Sequence, residues 1–443
     1  MNVLALTHAH LMSGGLSPVS CERADSITGA WGARFGWKVD VVYTSGTAWR
    51  GIWPGGKGLT INILEVAAPK ELMLEEAKSF SVQIKSLLAQ KQFLKTIPLV
   101  AGRVAHRLRT AMANKGWVRT RELVHGARWA HVLATDTRIR EQKYDFLFAC
   151  VGYGDEYLLQ TALTLSAAKK IPMIVDFRDL WSDHHDPDRF NEQQRNIIRS
   201  IEKRLLSRAI LISVPHRHMA FLLGKWTKTP VHLLSHSAYV GADWKDGHIT
   251  ADEFRMVYAG KVYATGPGMW MLMELLKKLS VAKFYKPMTC HFYVDDVDGL
   301  KAMAETYGVS SIITVNGWVS PQALWGSLRS AHVLLLPDAG VAENYPLLPT
   351  KIFQYAYTGR QILCIEKFTN HEIGEFLQLH SAGLATTNID EAAVWLTRLS
   401  EESSQYLTLP PLRNIRLRED QAVIFGQEIE KTIAKKNTFA PNE

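Results

Sequence analysis

At 443 residues, 47% of them apolar, the chain exceeds what one hydrophobic core usually organises, since single cores stop growing at roughly 250 to 300 residues, so two domains are expected. Its four cysteines (Cys21, Cys150, Cys290, Cys364) stand far apart with no CxxC or Cys/His spacing. That excludes a zinc-finger or disulfide scaffold and points to a reducing cytoplasm. No leader-like segment and no run of about 18 uncharged apolar residues is read, so a soluble or peripheral protein is expected.

The net charge of +8 is concentrated in one place. Between positions 81 and 130 ten basic side chains, among them Arg103, Arg107 and Arg109, meet a single acid, Glu122, so that stretch carries +9 and the rest of the chain about −1. Apolar residues such as Leu87, Phe93 and Leu99 are interleaved with the charges. Such a segment is either a solvated pair of helices or a surface for a polyanion or an anionic bilayer.

In chain order, residues 3–6 read as a buried strand running into a loop with His8, His10, Gly14 and Gly15; a helix and a strand at 39–43 follow. The two adjacent glycines fall short of a full GxGxxG phosphate loop and serve a close approach to a ligand or a neighbouring helix. A basic insert is placed at about 69–130. Alternation then resumes with strand 146–150, helix 157–169, strand 172–176, helix 194–206, strand 209–214, a helix near 218–223 and strand 231–234. Residues 237–254 are polar without apolar periodicity and read as a linker. The second half repeats the logic, with strands at 255–258, 289–293, 312–316, 333–336 and 361–365 and helices at 269–279, 299–307, 321–330 and 351–357. Helices at 391–399 and 419–434 finish it. The expected architecture is α/β: a Rossmann-like domain over 1–240, a second over 251–415, a cleft between them, and a terminal helix within 416–443 packing back towards the first domain.

The stretch LLPTKIFQYAYTGRQIL, beginning at Leu347, opens a helix between two strands. Thr350 is positioned as its cap, Lys351 puts a cation in its first turn, and Gly359 ends it. A cation is unfavourable at a helix N-terminus unless an anion sits there too, and a diphosphate would satisfy both. Gly260 and Lys261 follow the strand at 255–258, where a glycine admits close backbone approach and a second cation adds charge. In the first half, Asp176, Arg178 and Asp179 stand at a strand's carboxyl end. Either an aspartate receives a proton from a substrate hydroxyl with Arg178 holding it ionised, or an Asp–Arg pair orders the loop. His184 and His185 are adjacent, which points them apart and argues against a shared metal.

The run HVLLLPDAGVAENYPLLPTKIFQYAYTGRQILCI resembles the donor-site signature of GT-B-fold glycosyltransferases of the family 4 type, and IPMIVDFRDLWSD, IEKRLLSRAILISV, VYAGKVY and NGWVSPQALWGSLRSAHVLLLP agree in order over about 171–364. The resemblance implies transfer of a sugar from a nucleoside diphosphate donor in the second domain, with retention of configuration, to an acceptor on the first. Gly260, Lys261, Thr350, Lys351 and Gln354 would then face the donor, while Gly14, Gly15, His10 and His184 would line the acceptor side. Asp176, Arg178 and Asp179 would carry the chemistry.

Gln354 stands where the family has a ribose-binding glutamate, and Pro346 where it has its first acid, leaving Glu343 as a displaced substitute. No convincing DxD-type pair is present, so no metal or other cofactor is expected. Nor is nucleic acid, because the basic segment lacks a reading module. The acceptor is expected to be a glycan or a lipid-linked molecule of cell-envelope polysaccharide or glycoconjugate synthesis. The protein is then cytoplasmic or peripheral on the inner face of the cytoplasmic membrane. An epimerase of the same fold, or a non-catalytic binder of nucleotide sugars, shares most of these residues.

Overall fold

The computed structural model describes residues 1–7, 18–45, 61–67, 120–152, 155–183, 190–238, 247–249, 252–262, 267–282, 286–337, 348–367, 371–401 and 417–438. The chain divides into two compact units, one of residues 1–235 with 419–443 and one of residues 236–418.

The first unit begins with β1 (Asn2–Leu6), α1 (Pro18–Phe35), β2 (Lys38–Ser45) and β3 (Ile61–Ala67). It continues through α2 (Thr120–Thr135), α3 (Thr137–Arg140), β4 (Phe146–Val151), α4 (Glu156–Lys169), β5 (Met173–Phe177), α5 (Glu192–Leu205), β6 (Ala209–Val214), α6 (Arg217–Gly224) and β7 (Val231–Leu233). The seven strands pair in parallel in the order β3-β2-β1-β4-β5-β6-β7. Every residue of β4 and β5 is buried, as a parallel sheet covered on both faces requires.

The second unit runs β8 (Phe254–Gly260), α7 (Pro267–Ser280), β9 (Met288–Val294), α8 (Val297–Tyr307), β10 (Ile313–Asn316), α9 (Pro321–Arg329), β11 (Val333–Pro337), α10 (Thr350–Tyr357), β12 (Gln361–Ile365), α11 (His371–Leu379), β13 (Gly383–Thr386) and α12 (Ile389–Glu401). Its sheet, also parallel, has the order β10-β9-β8-β11-β12-β13. In both sheets the strand order reverses beside the unit's first strand, at β1/β4 and at β8/β11. Ligands of open α/β sheets bind outside the strands' carboxyl ends at such a point.

The last helix, α13 (Arg418–Thr438), belongs from Glu419 onward to the first unit. Phe425, Ala422 and Ile429 are buried in that unit's core, the Trp31 indole donates to the Ala422 carbonyl at 2.9 Å, and Phe425 stacks on His232 at 5.4 Å. Aromatic burial of this kind fixes the helix on the sheet.

One boundary of the sequence reading moves. Residues 120–130, counted within the basic insert, form most of α2, where Trp129, Ala130 and Leu133 are fully buried. Gly126 lets the helix meet α4 closely, for a Cβ there would run into the Tyr157 carbonyl. Thr161 of α4 donates to the Gly126 carbonyl at 2.9 Å. Charge counting hid this apolar stripe, which continues beyond position 130. The rest of the insert, 69–119, lies outside the described residues.

Candidate functional site

In the second unit the carboxyl end of β8 and the start of α10 are tied together. The Tyr355 hydroxyl of α10 accepts from the Ala259 amide at 2.9 Å and lies 3.3 Å from its carbonyl, pinning the strand one residue before it ends. One helical turn earlier, Lys351 extends towards that end. Its ammonium stands 3.3 Å from the Tyr258 hydroxyl and 4.6 Å from the centre of the Tyr258 ring, a cation–π contact. Tyr258 is itself fixed, donating to the Lys261 carbonyl at 2.5 Å.

Gly260 is needed here twice over. Its φ of +149° is a conformation that L side chains rarely adopt, and a Cβ would fall where the Lys351 ammonium lies. Among the described residues no carboxylate stands within ion-pair distance of Lys351. Burial lowers its pKa to about 8, and the charge of Asp295 only partly restores it. Among the described residues this cation has no paired anion, and it stands at the switch point of a parallel sheet and in the first turn of a helix, where a negative group is favoured.

Thr350 does not cap α10. The cap position is Pro349, which has no side chain able to accept, so Thr350 becomes the first helical residue. The cap residue therefore offers no side-chain hydrogen bond to the amides at this helix start. Lys261 is exposed just beyond β8, and Gln354, one turn after Lys351, is half-buried. Glu343 lies outside the described residues.

In the first unit the three expected polar residues separate. Asp176 is fully buried. It takes two hydrogen bonds from the Arg23 guanidinium, at 2.7 and 2.9 Å, and one from the Ser213 hydroxyl at 2.7 Å. Arg23 also donates to the Leu234 carbonyl, at 2.8 Å. With no access and its oxygens occupied, Asp176 is a strut joining β5, β6 and α1, not a catalytic group. Arg178 pairs with neither Asp176 nor Asp179. Its guanidinium passes over Gly152, where a Cβ would strike it, and reaches Asp155 at 3.4 Å. Asp179 is half-buried and, among the described residues, has no hydrogen-bond or ion-pair partner.

The backbone that carries Asp179 is held from several sides. The Arg178 amide donates to the Val151 carbonyl at 2.8 Å, and the Trp181 indole to the Gly152 carbonyl at 2.8 Å. Glu202 of α5, fully buried, accepts the Trp181 amide at 3.0 Å and the Ser182 amide at 3.3 Å. His10, Gly14, Gly15 and His184 lie outside the described residues.

Trp181 is buried, whereas Trp318 is 68% exposed. His236 falls in the second unit, its ring 6.5 Å from Phe353. Asp296 caps α8 by accepting the Gly299 amide, and Asp295 accepts the Val262 amide. Among the described residues no group of three or more His, Cys, Asp or Glu side chains is placed to hold a metal ion. Tyr258, Tyr355, Arg23 and Asp155 were not singled out in sequence, where a strand-end tyrosine reads as core and a long-range ion pair leaves no local signal.

No family model matches the chain, and no curated sequence does. Solved structures do. Sucrose-phosphate synthase from Thermosynechococcus elongatus is similar over 98% of this chain and 99% of its own, at 11% identity and a TM-score of 0.59. A glycosyltransferase from Rickettsia africae is similar over 98% of both chains, at 12% identity and a TM-score of 0.55. HepE of Anabaena, solved in complex with UDP, is similar over 98% of this chain and 100% of its own, at 13% identity and a TM-score of 0.54. The chain therefore has the GT-B fold, two Rossmann-like units, as its sequence led one to expect.

Proposed function

We propose that this protein is a glycosyltransferase that takes a sugar from a nucleoside diphosphate donor bound to the second unit. The observation that carries the reading is Lys351, a partly buried cation without an ion-pair partner among the described residues, set against Gly260 at the sheet's switch point. The fold and the UDP bound in HepE support it. Lys351 and Lys261 neutralise the diphosphate as it departs, so the transfer needs no metal. Gln354 faces the ribose. The acceptor binds the first unit, where Asp179 takes the proton of its attacking hydroxyl as the bond from the sugar carbon to the diphosphate breaks and a bond to the acceptor oxygen forms. Retention of configuration, which the resemblance to family 4 implies along with a hexosyl donor, requires the acceptor hydroxyl to attack on the face from which the diphosphate leaves.

Turnover of a panel of nucleoside diphosphate sugars, each with and without glycan and lipid-linked acceptors, tests the proposal. Release of nucleotide that depends on an acceptor is expected; an altered sugar formed from donor alone would mean an epimerase, and binding without either product a non-catalytic binder. Gly260→Ala, by displacing the Lys351 ammonium, is expected to lower donor affinity about tenfold or more, since the loss of one charged hydrogen bond suffices for that. Wild-type affinity in the folded variant would remove Gly260 from the site.

The basic segment at 81–119 is proposed to rest on an anionic membrane from the cytoplasmic side, bringing the enzyme to a lipid-linked acceptor of cell-envelope synthesis. Among the described residues no helix is long and apolar enough to cross a membrane. Each Lys or Arg near an anionic surface gains about 1 kcal/mol, and salt screens the attraction. Arg103, Arg107 and Arg109 replaced together by Gln are therefore expected to weaken sedimentation with anionic vesicles and leave donor affinity intact. Equal binding to neutral and anionic vesicles, or to neither, would refute the membrane contact.

A further inference from the structure

Glu202 is a buried carboxylate that the reaction does not use directly. It lies in α5, with zero exposure, below the segment that follows β5. Each of its oxygens takes one backbone amide of that segment, Oε1 from Trp181 and Oε2 from Ser182. Asp179 stands two residues before the first of these amides. On its other side the Arg178 amide is already fixed to the Val151 carbonyl. Asp183, just past the clamp, is held by Arg199 of α5 at 2.7 Å and by the Trp226 indole at 3.3 Å.

We propose that Glu202 is a positioning residue: by accepting the amides of both Trp181 and Ser182, it fixes the backbone that presents Asp179. The inference rests on the reading of Asp179 given above. An ionised carboxylate can serve both amides at once. A neutral one carries a hydroxyl on one oxygen, and a glutamine carries an NH₂ there, so either leaves one amide unserved. Burial raises the pKa of Glu202 to about 7; hydrogen bonds from the Ser182 hydroxyl and from the Trp181 and Ser182 amides oppose the rise, and the charge of Asp183 adds least to it. Among the described residues the charged and titratable groups around this region include Asp183 of the segment itself, Arg199 of α5, which is occupied by Asp183, Arg178, which reaches Asp155, Arg204 of α5, which reaches Gln160 of α4, and His218 of α6, which feels the charge of Asp183.

The sign of the raised pKa separates positioning from stability. A carboxyl whose folded pKa lies above its ordinary value of 4.5 binds its proton more tightly in the fold, so ionised Glu202 opposes folding above that value. Glu202→Gln removes that charge. The variant is thus expected to melt at or near the wild-type temperature, whereas a residue that merely held the fold together would lower it.

The test compares Glu202→Gln with Asp179→Asn at pH 8, reading kcat, donor Kd and amide hydrogen exchange over residues 178–183. Glu202→Gln is expected to lower kcat roughly 10- to 100-fold, the effect of misplacing a reacting group by about an ångström, with donor Kd unchanged and exchange of the segment faster. The wild type should lose turnover as pH falls through about 7, and the variant should lack that limb. Exchange unchanged by the substitution would overturn the clamp. So would a kcat within twofold of wild type when Asp179→Asn lowers it strongly. If Asp179→Asn is itself silent, the role of Asp179 fails, and the exchange measurement alone decides for or against the clamp.

Discussion

Replacing Lys351 with alanine is expected to weaken nucleoside diphosphate binding by roughly 10- to 150-fold, about 1.5 to 3 kcal/mol, the usual worth of a hydrogen bond to a charged group. The effect should depend on pH. With the pKa of Lys351 lowered to about 8, the protein binds the diphosphate at full strength below that value and progressively less as pH rises through it, because the neutral amine offers no charge. The consequence for the unliganded protein has the opposite sense. The folded state holds this proton less tightly than the unfolded chain, whose lysine has an ordinary value of 10.5, so the residue opposes folding below about pH 8 and the penalty fades as pH climbs from 8 to 10.5. Lys351→Ala should accordingly leave the melting temperature of the free protein at neutral pH unchanged or higher, while abolishing most of the upward shift that a bound diphosphate produces. A variant that melts lower and still binds the diphosphate normally would make Lys351 a packing residue.

Asp179→Asn is expected to lower kcat by roughly 10² to 10⁴, the range typical for a general base, with donor affinity unchanged. The prediction is specific to this carboxylate. Asp176 is consumed by Arg23 and Ser213, and Asp155 by Arg178 and the Gly152 amide, which leaves Asp179 as the carboxylate of this loop with no partner among the described residues. Asp176→Asn should instead act on stability, since it would leave the buried Arg23 guanidinium without its counter-ion. Near-normal turnover of folded Asp179→Asn would remove Asp179 from the chemistry.

Both sheets are legible in the sequence where their strands are continuous apolar runs. The interior strands β6 (Ala209–Val214) and β12 (Gln361–Ile365) match their expected limits. What escaped was at the edges. β3 and β13 close the two sheets at one side each, and edge strands carry polar residues or shorten, as Asn62 and Glu65 in INILEVA and the four-residue GLAT do. Helix α11, HEIGEFLQL, is short and holds a mid-helix glycine, which weakens its signal. At the candidate site, Lys351 and Gly260 were legible because a cation in a helix's first turn and a glycine at a strand's end both ask for an explanation. The Asp176–Arg23 pair was not, being separated by 153 residues. Nor was Glu202, whose partners are backbone amides that no side-chain pattern reveals.

The claim that Lys351 receives a diphosphate is tested most directly by calorimetric titration of a panel of nucleoside diphosphates at pH 8 in two buffers of different ionisation heat. At that pH Lys351 is about half protonated in the free protein, and an adjacent diphosphate should draw in the remainder. Saturable binding of at least one nucleotide, with uptake of a fraction of a proton that disappears in Lys351→Ala, is the predicted result. Binding of none of them, or binding whose strength and proton uptake are the same in wild type and Lys351→Ala, would contradict it.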